Sequence, residues 1–453
     1  MRKRRLPRLR RRPRRKSSHN PRRRDSPPKD LSLLGDLPNI TAMLLVSMLS
    51  RLVRTGRLTL IDAAGKRHVM EGDGGPSVTI RLHDPSLHRK LLLRPRLYVP
   101  EAYMDGTLTI EEGTLYDFFD ILVTNDIAHP NELMRLGRAL AKLARRLHQL
   151  NPVWRSRRNA AHHYDLSDQL YELFLDRDRQ YSCAYFRSPD DDLETAQQNK
   201  KRHIASKLLI QPGQKVLDIG AGWGGLALYL AAECGADVTG LTLSEEQLKT
   251  AQRRAAAAGL ADRVRFHLRD YREETERYDR IVSVGMFEHV GVNHYPAYFA
   301  KLKELLAPDG VALLHSIGRM DGPGMTNPWL RKYIFPGGYS PALSEVVPVA
   351  ERTGLWIADI EILRLHYAET LCNWRRRFEQ NRERIRALYD ERFCRMWETY
   401  LIGSELAFRR AGHLVFQMQL AKTIDAVPLT RDYMFDWERA HADSEGSAAG
   451  RAA

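Results

Sequence analysis

Long apolar runs are missing from this sequence of 453 residues, although 43% of its residues are hydrophobic. The longest candidate is the short stretch at 43–49, far below the ~20 apolar residues that a membrane-spanning helix needs. A secretory signal peptide is not expected either, because this stretch lies far downstream of the basic start and behind Pro38. The length is sufficient for two or three domains with full cores.

Cysteine is scarce, and the spacing of the four cysteines is not that of a metal site. Cys183, Cys234, Cys372 and Cys394 form neither a CxxC motif nor paired spacings. This pattern argues against a disulfide framework and against a zinc site. No metal is predicted, and a reducing cytoplasm fits this usage best.

Acidic residues are nearly absent from the first 30 positions. These positions hold 15 Lys or Arg against Asp25 and Asp30, and therefore carry +13 of the formal net charge of +15. Charge repulsion, prolines and few apolar side chains predict a disordered basic tail over 1–38. Three interpretations of this tail stay open. It could be a solvated tail, or the result of a start codon assigned too far upstream; it could tether the protein to anionic lipid head groups; or it could be a nucleic-acid-binding arm. The rest of the chain is nearly neutral, so no nucleic-acid partner is expected for it.

After the tail, the sequence divides into segments of different pattern. Residues 39–128 predict a small mixed α/β domain that begins with a helix around 42–54. Residues 129–158 predict a basic amphipathic linker helix, because leucines recur there at steps of three or four. Residues 159–425 predict the main domain, and 426–453 a partly disordered extension.

Strand and helix patterns alternate from about residue 200 onward, which predicts an α/β fold with a doubly wound parallel sheet. The stretch 356–365 is expected to be a later strand, and helices are expected from there to about 422.

An acidic residue is also missing where a dinucleotide site would need one. Gly220, Gly222 and Gly225 fit the GxGxxG fingerprint, but residues 238–244 carry no acid for the ribose hydroxyls of NAD, and Asp237 lies at the wrong end of the second strand. Asp218 instead precedes the first glycine within VLDIGAGWGG. This pattern resembles the first motif of class I S-adenosylmethionine methyltransferases, and a methyltransferase is favoured over a dehydrogenase.

Six further motifs narrow the resemblance. They occur in order at 159–186, 240–247, 284–291, 313–318, 333–341 and 366–378. Together they are similar to the cyclopropane-fatty-acyl-phospholipid synthase family, which includes the mycolic acid cyclopropane synthases. The module at 39–128 resembles the N-terminal lipid-engaging domain of the bacterial phospholipid enzymes.

The resemblance implies a Rossmann-like class I methyltransferase fold with helical additions. It also implies transfer of the S-adenosylmethionine methyl group to a cis double bond of a phospholipid acyl chain, followed by proton loss and ring closure. The expected partner is a phospholipid membrane with unsaturated chains, bound peripherally on its cytoplasmic face. A homodimer is a family expectation.

Two alternatives stay open. The same scaffold could methylate the alkene without closing a ring and so give branched or methylene lipids. A nucleic-acid methyltransferase would explain the basic tail, but the fourth strand leads into VGMFEHVG rather than the NPPY-type sequence that methylation of base amines commonly uses.

The resemblance also implies a set of residues for S-adenosylmethionine. Tyr181 and Ser182 would meet its methionine end, Thr242 and Gln247 would replace the usual ribose-binding acid, and Tyr271 would lie against the adenine. The full set is Tyr181, Ser182, Asp218, Gly220, Gly222, Gly224, Gly225, Thr242, Gln247 and Tyr271.

Family members hold a bicarbonate ion as the base. The matching ligands are Cys183, Glu288, His315, Ile317 and Tyr367. Cys183 and Ile317 would contribute backbone groups, so Cys183 is expected to be neither a nucleophile nor a metal ligand.

Aromatic faces stabilise a carbocation without attacking it. Tyr185, Phe186, Trp223 and Phe287 are therefore expected as wall residues. Ser404 stands where several relatives carry a cysteine, so a covalent role at that position is excluded.

Overall fold

The computed structural model describes residues 37–128 and 167–449. The linker helix expected at 129–158 lies outside the described residues, as does nearly all of the basic tail expected over 1–38. Within the described ranges, no helix is both long enough and apolar enough to span a membrane.

The first module is a four-stranded sheet covered by helices. Its elements are α1 (Leu37–Leu52), β1 (Arg57–Ile61), β2 (Arg67–Glu71), β3 (Ser77–Leu82), α2 (Ser86–Leu93), α3 (Pro95–Met104), β4 (Leu108–Glu112) and α4 (Leu115–Ala128). The strand order is β2-β1-β3-β4, with β1 and β3 parallel. Apolar side chains of the sheet and helices form one core, to which Ile402 and Leu406 from the second half of the chain also contribute.

A seven-stranded sheet forms the centre of the second part. Its strands are β5 (Lys215–Ile219), β6 (Asp237–Thr242), β7 (Val264–Leu268), β8 (Tyr278–Val284), β9 (Leu306–Arg319), β10 (Trp356–Leu363) and β11 (His413–Ala421). The order is β10-β11-β9-β8-β5-β6-β7, in which β5 to β9 run parallel. This confirms the predicted doubly wound α/β fold, in which ligands bind beyond the carboxyl ends of the strands, where the strand order reverses.

Helices are predicted as far as residue 422, but His413–Ala421 form the strand β11, so the prediction is wrong for these residues. β11 runs antiparallel between β9 and β10. Its sequence HLVFQMQLA is buried at every position after the first, including Gln417 and Gln419. The two buried glutamines make this strand hard to recognise from the sequence, because their hydrogen-bond partners come from distant segments.

Helices cover both faces of this sheet. They are α5 (Asp168–Phe174), α6 (Leu193–Leu208), α7 (Gly225–Glu233), α8 (Glu245–Ala257), α9 (Tyr295–Leu305), α10 (Pro328–Tyr333), α11 (Leu343–Thr353), α12 (His366–Gln380), α13 (Arg382–Leu388), α14 (Glu391–Arg409) and α15 (Asp432–Ala449). α14 packs on α3 and α4, and thereby joins the first module to the second.

α6 is buried on almost every side, because it lies between the sheet and α15. Its polar side chains Lys200, Lys207 and His203 make hydrogen bonds to side chains of other elements. The sequence predicts a partly disordered extension over 426–453, whereas the structure has a helix there as far as Ala449.

Candidate active site

The glycine-rich loop turns sharply between β5 and α7. Gly220 has a φ of +87°, a conformation that favours glycine. A Cβ atom at Gly225 would lie 2.4 Å from Asp178 Oδ2, so that only glycine fits there. The loop therefore passes close to its neighbours and leaves open space above the end of β5.

A cavity of about 180 Å³ occupies this space. It is lined by nine of the ten predicted cofactor residues, which are Tyr181, Ser182, Asp218, Gly220, Gly222, Gly225, Thr242, Gln247 and Tyr271. Gly224 is not among the lining residues. A Cβ atom there would lie 2.6 Å from the Phe266 ring, so this glycine serves the packing behind the loop.

Two polar features of this cavity suit a cationic amino-acid nucleoside. Asp218 is buried, and its Oδ2 atom has no hydrogen-bond partner within the described part of the chain. Burial raises the pKa of Asp218 to about 7. An ammonium group would satisfy this oxygen. Thr242 donates to Gln247 Oε1 at 2.9 Å, which leaves the amide nitrogen of Gln247 as a donor where an acid would usually accept.

A second cavity of about 780 Å³ extends from the first module to β8, β9, α12 and α14. Its lining is mainly apolar and includes Leu45, Leu49, Leu58, Ile80, Leu91, Val99, Phe118, Phe119 and Leu122. All five predicted anion ligands, Cys183, Glu288, His315, Ile317 and Tyr367, also line it. The structure thus brings together residues that lie up to 184 positions apart, from Cys183 to Tyr367.

The two cavities meet at a shared wall. Tyr181, Ser182, Gly285 and His289 line both of them. A group at the inner end of the smaller cavity therefore faces the larger, apolar cavity directly.

Glu288 is a buried carboxyl residue that lines the larger cavity beside this shared wall. It lies in the 3₁₀ turn Phe287–His289 after β8, and its Oε1 atom accepts a hydrogen bond of 2.6 Å from the Ile317 N–H group. Its Oε2 atom is buried with no hydrogen-bond partner among the described residues. Burial raises the pKa of Glu288 to about 7, and the Ile317 hydrogen bond opposes this. The expected backbone donor of Ile317 is thus engaged by Glu288 in this structure.

The raised pKa predicts a stability cost that depends on pH. The folded protein holds the Glu288 proton more tightly than the unfolded chain, so this carboxyl destabilises the fold increasingly as pH rises from about 4.5 to about 7. Glu288→Gln should therefore raise the free energy of unfolding by up to about 3 kcal/mol at pH 8. Thermal unfolding at pH 5 and pH 8 measures this, and an equal shift at both pH values would contradict the expectation.

Cys183, His315 and Tyr367, the other anion-ligand candidates expected to act beside Glu288 and Ile317, are all buried. Burial lowers the pKa of His315 to about 3, so its ring is neutral. Tyr367 packs edge-to-face on Trp374 at the start of α12. Burial raises the pKa of the Cys183 thiol well above its usual value, which makes it a poor nucleophile.

Similarity to known proteins identifies the family of this chain. The sequence profile described as mycolic acid cyclopropane synthetase matches residues 153–418. The chain belongs to this family. It is 36% identical over 357 residues to a cyclopropane-fatty-acyl-phospholipid synthase of Escherichia coli K12, covering 78% of this chain and 90% of that protein. It is 35% identical over 378 residues to a probable fatty acid methyltransferase of Pseudomonas putida, covering 80% and 92%.

Solved structures of the family agree with the fold. The cyclopropane synthase MmaA2 of Mycobacterium tuberculosis superposes with a TM-score of 0.57 at 34% identity, covering 60% of this chain and 99% of that one. The mycolic acid cyclopropane synthase CmaA1, solved with S-adenosylhomocysteine (SAH) and CTAB, gives the same score, identity and coverage. The protein is therefore a methyltransferase that depends on S-adenosylmethionine (SAM).

The aromatic wall differs from the prediction. Trp223 lines the smaller cavity, but Tyr185, Phe186 and Phe287 line neither cavity. Phe287 is fully buried and stacks on Tyr295, and Tyr185 stacks on His203. The aromatic residues that do line the larger cavity are Phe118, Phe119, Tyr181, Phe335, Tyr339, Tyr367 and Phe408. Ser404 of α14 lines the same cavity.

Lys200 is a further site residue that the sequence does not reveal. It is fully buried on α6, and its Nζ atom donates to Ser182 Oγ at 2.9 Å. Burial lowers its pKa to about 8, and the charge of Asp176 opposes this. Lys200 thus holds a side chain that lines both cavities. No motif surrounds it, and only its burial in three dimensions identifies it.

Proposed function

We propose that this enzyme is a cyclopropane-fatty-acyl-phospholipid synthase, which transfers the SAM methyl group to a cis double bond of a phospholipid acyl chain and closes a cyclopropane ring. The observation that carries the proposal is the junction of the two cavities. The smaller one suits SAM, the larger one suits an acyl chain, and Glu288 lines the larger one between Gly285 and His289 of the shared wall.

The chemistry requires alignment, dryness and a base. When bound, SAM supplies an electrophilic methyl group, and the alkene π pair forms the new carbon–carbon bond as the carbon–sulfur pair returns to sulfur. The resulting carbocation must be shielded from water and then lose a proton from the added methyl group, whose C–H pair closes the ring. Buried apolar walls provide the shielding.

The residues beside the junction fit a small anion that could serve as base. A bicarbonate ion bound there would collect the proton. The orphan Oε2 atom of Glu288 can accept its hydroxyl, while His315 and Tyr367 can donate to its other oxygens. Cys183 would add a backbone group, and Ile317 could do so once its N–H group is released from Glu288.

The shape and charge of the larger cavity favour a lipid with an anionic head group. Its deep lining is apolar, and the exposed residues Arg51 and Arg54 also line it, as does Arg96, which pairs with Asp126 of the same lining. Guanidinium groups bind phosphate through several parallel donors. A phosphodiester at the mouth and an acyl chain inside would satisfy both parts.

We further propose that α1 carries the enzyme onto the cytoplasmic face of a membrane. Ile40, Met43 and Leu44 are 46%, 72% and 55% exposed on the same helix whose Leu45 and Leu49 line the cavity. Exposed apolar residues beside a lipid-sized opening suit insertion between head groups.

Replacing Met43 and Leu44 together by Asp should weaken binding to vesicles of anionic phospholipid about 10-fold or more, because two inserted side chains become charged. Cosedimentation with vesicles measures this. Ile424→Asp is the matched control, since Ile424 is 70% exposed on a different part of the fold. Equal loss of binding in both variants would argue against α1 as the docking element.

Lipids from a bacterial host that expresses the protein test the reaction. Mass spectrometry should find unsaturated phospholipids heavier by one CH₂ group, and proton NMR should find the upfield resonances of a cyclopropane. Unmodified lipids in a host that produces folded protein would contradict the proposal.

A non-cyclising methyltransferase is the second candidate. The chain is 42% identical over 305 residues to a tuberculostearic acid methyltransferase of Mycobacterium tuberculosis, covering 61% of this chain and 71% of that protein. The engagement of the Ile317 N–H group by Glu288 also removes one donor from the expected anion site. A product with a methyl or methylene branch and no ring would favour this candidate.

A further inference from the structure

Three polar side chains form a row across the sheet beside the larger cavity: Gln417 and His315 are buried, and Glu361 is partly exposed at the edge strand. The strand register pairs Glu361 of β10 with Gln417 of β11, and Gln417 with His315 of β9. Directly paired residues present their side chains on the same face of a sheet. Lys207 of α6 completes the row, because its Nζ atom donates to Glu361 Oε2 and, at 2.7 Å, to Gln417 Oε1.

Lys207 fixes the orientation of the Gln417 amide. An ammonium group can only donate, so the Gln417 atom that faces it must be the carbonyl oxygen. Burial lowers the pKa of Lys207, but the Glu361 carboxylate opposes this. Burial would raise the pKa of Glu361, yet its contacts with His203 and Lys207 lower it to about 2. Glu361 is therefore a carboxylate, and Lys207 lies against it as its ion-pair partner.

The orientation of the amide then determines the tautomer of His315. The Gln417 Nε2 atom lies 3.1 Å from His315 Nδ1, and an amide nitrogen is a donor. Nδ1 must therefore be unprotonated. Because the ring is neutral, its single proton resides on Nε2, the nitrogen that Gln417 does not contact. His315 itself lines the cavity.

We propose that Gln417, oriented by Lys207, is a positioning residue that keeps His315 as the Nε2–H tautomer, so that the ring presents a neutral N–H donor to the cavity. The use of this donor rests on the proposed function, in which an anionic base is held beside Glu288. A neutral donor can hold an oxygen of that anion, whereas an imidazolium would give the base its proton before turnover.

Gln417→Glu is the sharpest test, because it keeps the size of the side chain and reverses one hydrogen bond. A carboxylate there accepts from Lys207 and from His315, so Nδ1 must carry a proton. We expect kcat to fall about 100-fold or more, with SAM affinity unchanged. The ¹⁵N spectrum of histidine-labelled full-length protein, assigned with His315→Asn, should change from the Nε2–H tautomer to an Nδ1-protonated ring.

Gln419→Glu is the matched control. Gln419 is as buried as Gln417 and two residues further along β11, but it donates to the Lys207 carbonyl and to Tyr433, and it lines neither cavity. This variant should keep kcat within a few-fold and leave the His315 signal unchanged.

Two outcomes would overturn the proposal: an Nδ1–H signal for His315 in the wild-type protein, or equal loss of turnover in both variants. The wild-type spectrum decides the tautomer even if Gln417→Glu does not fold. It also decides it if the product proves to be branched rather than cyclic, so that failure of the proposed function is distinguishable from failure of this inference.

Discussion

Glu288→Gln is expected to lower kcat about 1,000-fold while the dissociation constant for SAM stays within a few-fold of the wild-type value. Glu288 lines the larger cavity only, so the smaller cavity, which is proposed for SAM, keeps its residues. The amide retains an oxygen that can accept from Ile317, but it places an NH₂ group where the carboxyl would accept a proton-bearing ligand. Loss of a positioned base costs factors of this order.

Glu405→Gln serves as the control for this prediction. Glu405 is a buried carboxylate of α14 that pairs with Arg375 and Arg409 and lines neither cavity. Its replacement should affect stability more than turnover. Isothermal titration measures the affinity for SAM, and single-turnover assays measure the chemical step, so an effect on binding is separated from an effect on turnover. Loss of SAM binding by Glu288→Gln with normal residual turnover would contradict the assigned role.

Filling the larger cavity from α14 should have the second large effect. A Cβ atom at Gly403 would meet no other atom within 4 Å, and Gly403 lines the cavity. Gly403→Phe should therefore direct a ring into the space proposed for the acyl chain. We expect kcat/KM on oleoyl phospholipid vesicles to fall about 100-fold, because the bound chain contributes roughly 0.8 kcal/mol for each CH₂ group it buries.

Gly403→Ala separates this effect from damage to the helix. Alanine fills little of the cavity and stabilises a helix by about 1 kcal/mol relative to glycine. The alanine variant should be slightly more stable and nearly as active, and the phenylalanine variant should fold but keep only about 1% of the activity on lipid, the 100-fold loss expected from chain burial. Normal activity of folded Gly403→Phe would show that the acyl chain does not occupy this space.

The sequence predicts the sheet and the glycine-rich turn after β5 well, because both depend on local patterns. Asp218 and the glycines follow a buried strand, and the strand–helix alternation after residue 200 is regular. The order of the motifs also groups Glu288, His315 and Tyr367 in one predicted site, although their chemical roles stay predictions.

Other features depend on contacts between distant segments, and the sequence does not reveal them. Lys200 and Gln417 are recognisable only from their partners, Ser182 and His315, which lie 18 and 102 positions away. Phe287 follows the same strand as Glu288, yet it points into the core and stacks on Tyr295. A sequence shows which residues alternate between the two faces of an element, but it does not show which residues of other elements they contact.

The most direct test of the central claim uses purified enzyme, vesicles of dioleoyl phosphatidylglycerol and SAM with a trideuterated methyl group. If the methyl group adds to the alkene and then loses one of its own hydrogens to a base beside Glu288, the product will carry a CD₂ unit within a cyclopropane ring. A branch that retains CD₃, or vesicles recovered unchanged from active, SAM-binding protein, would contradict the account.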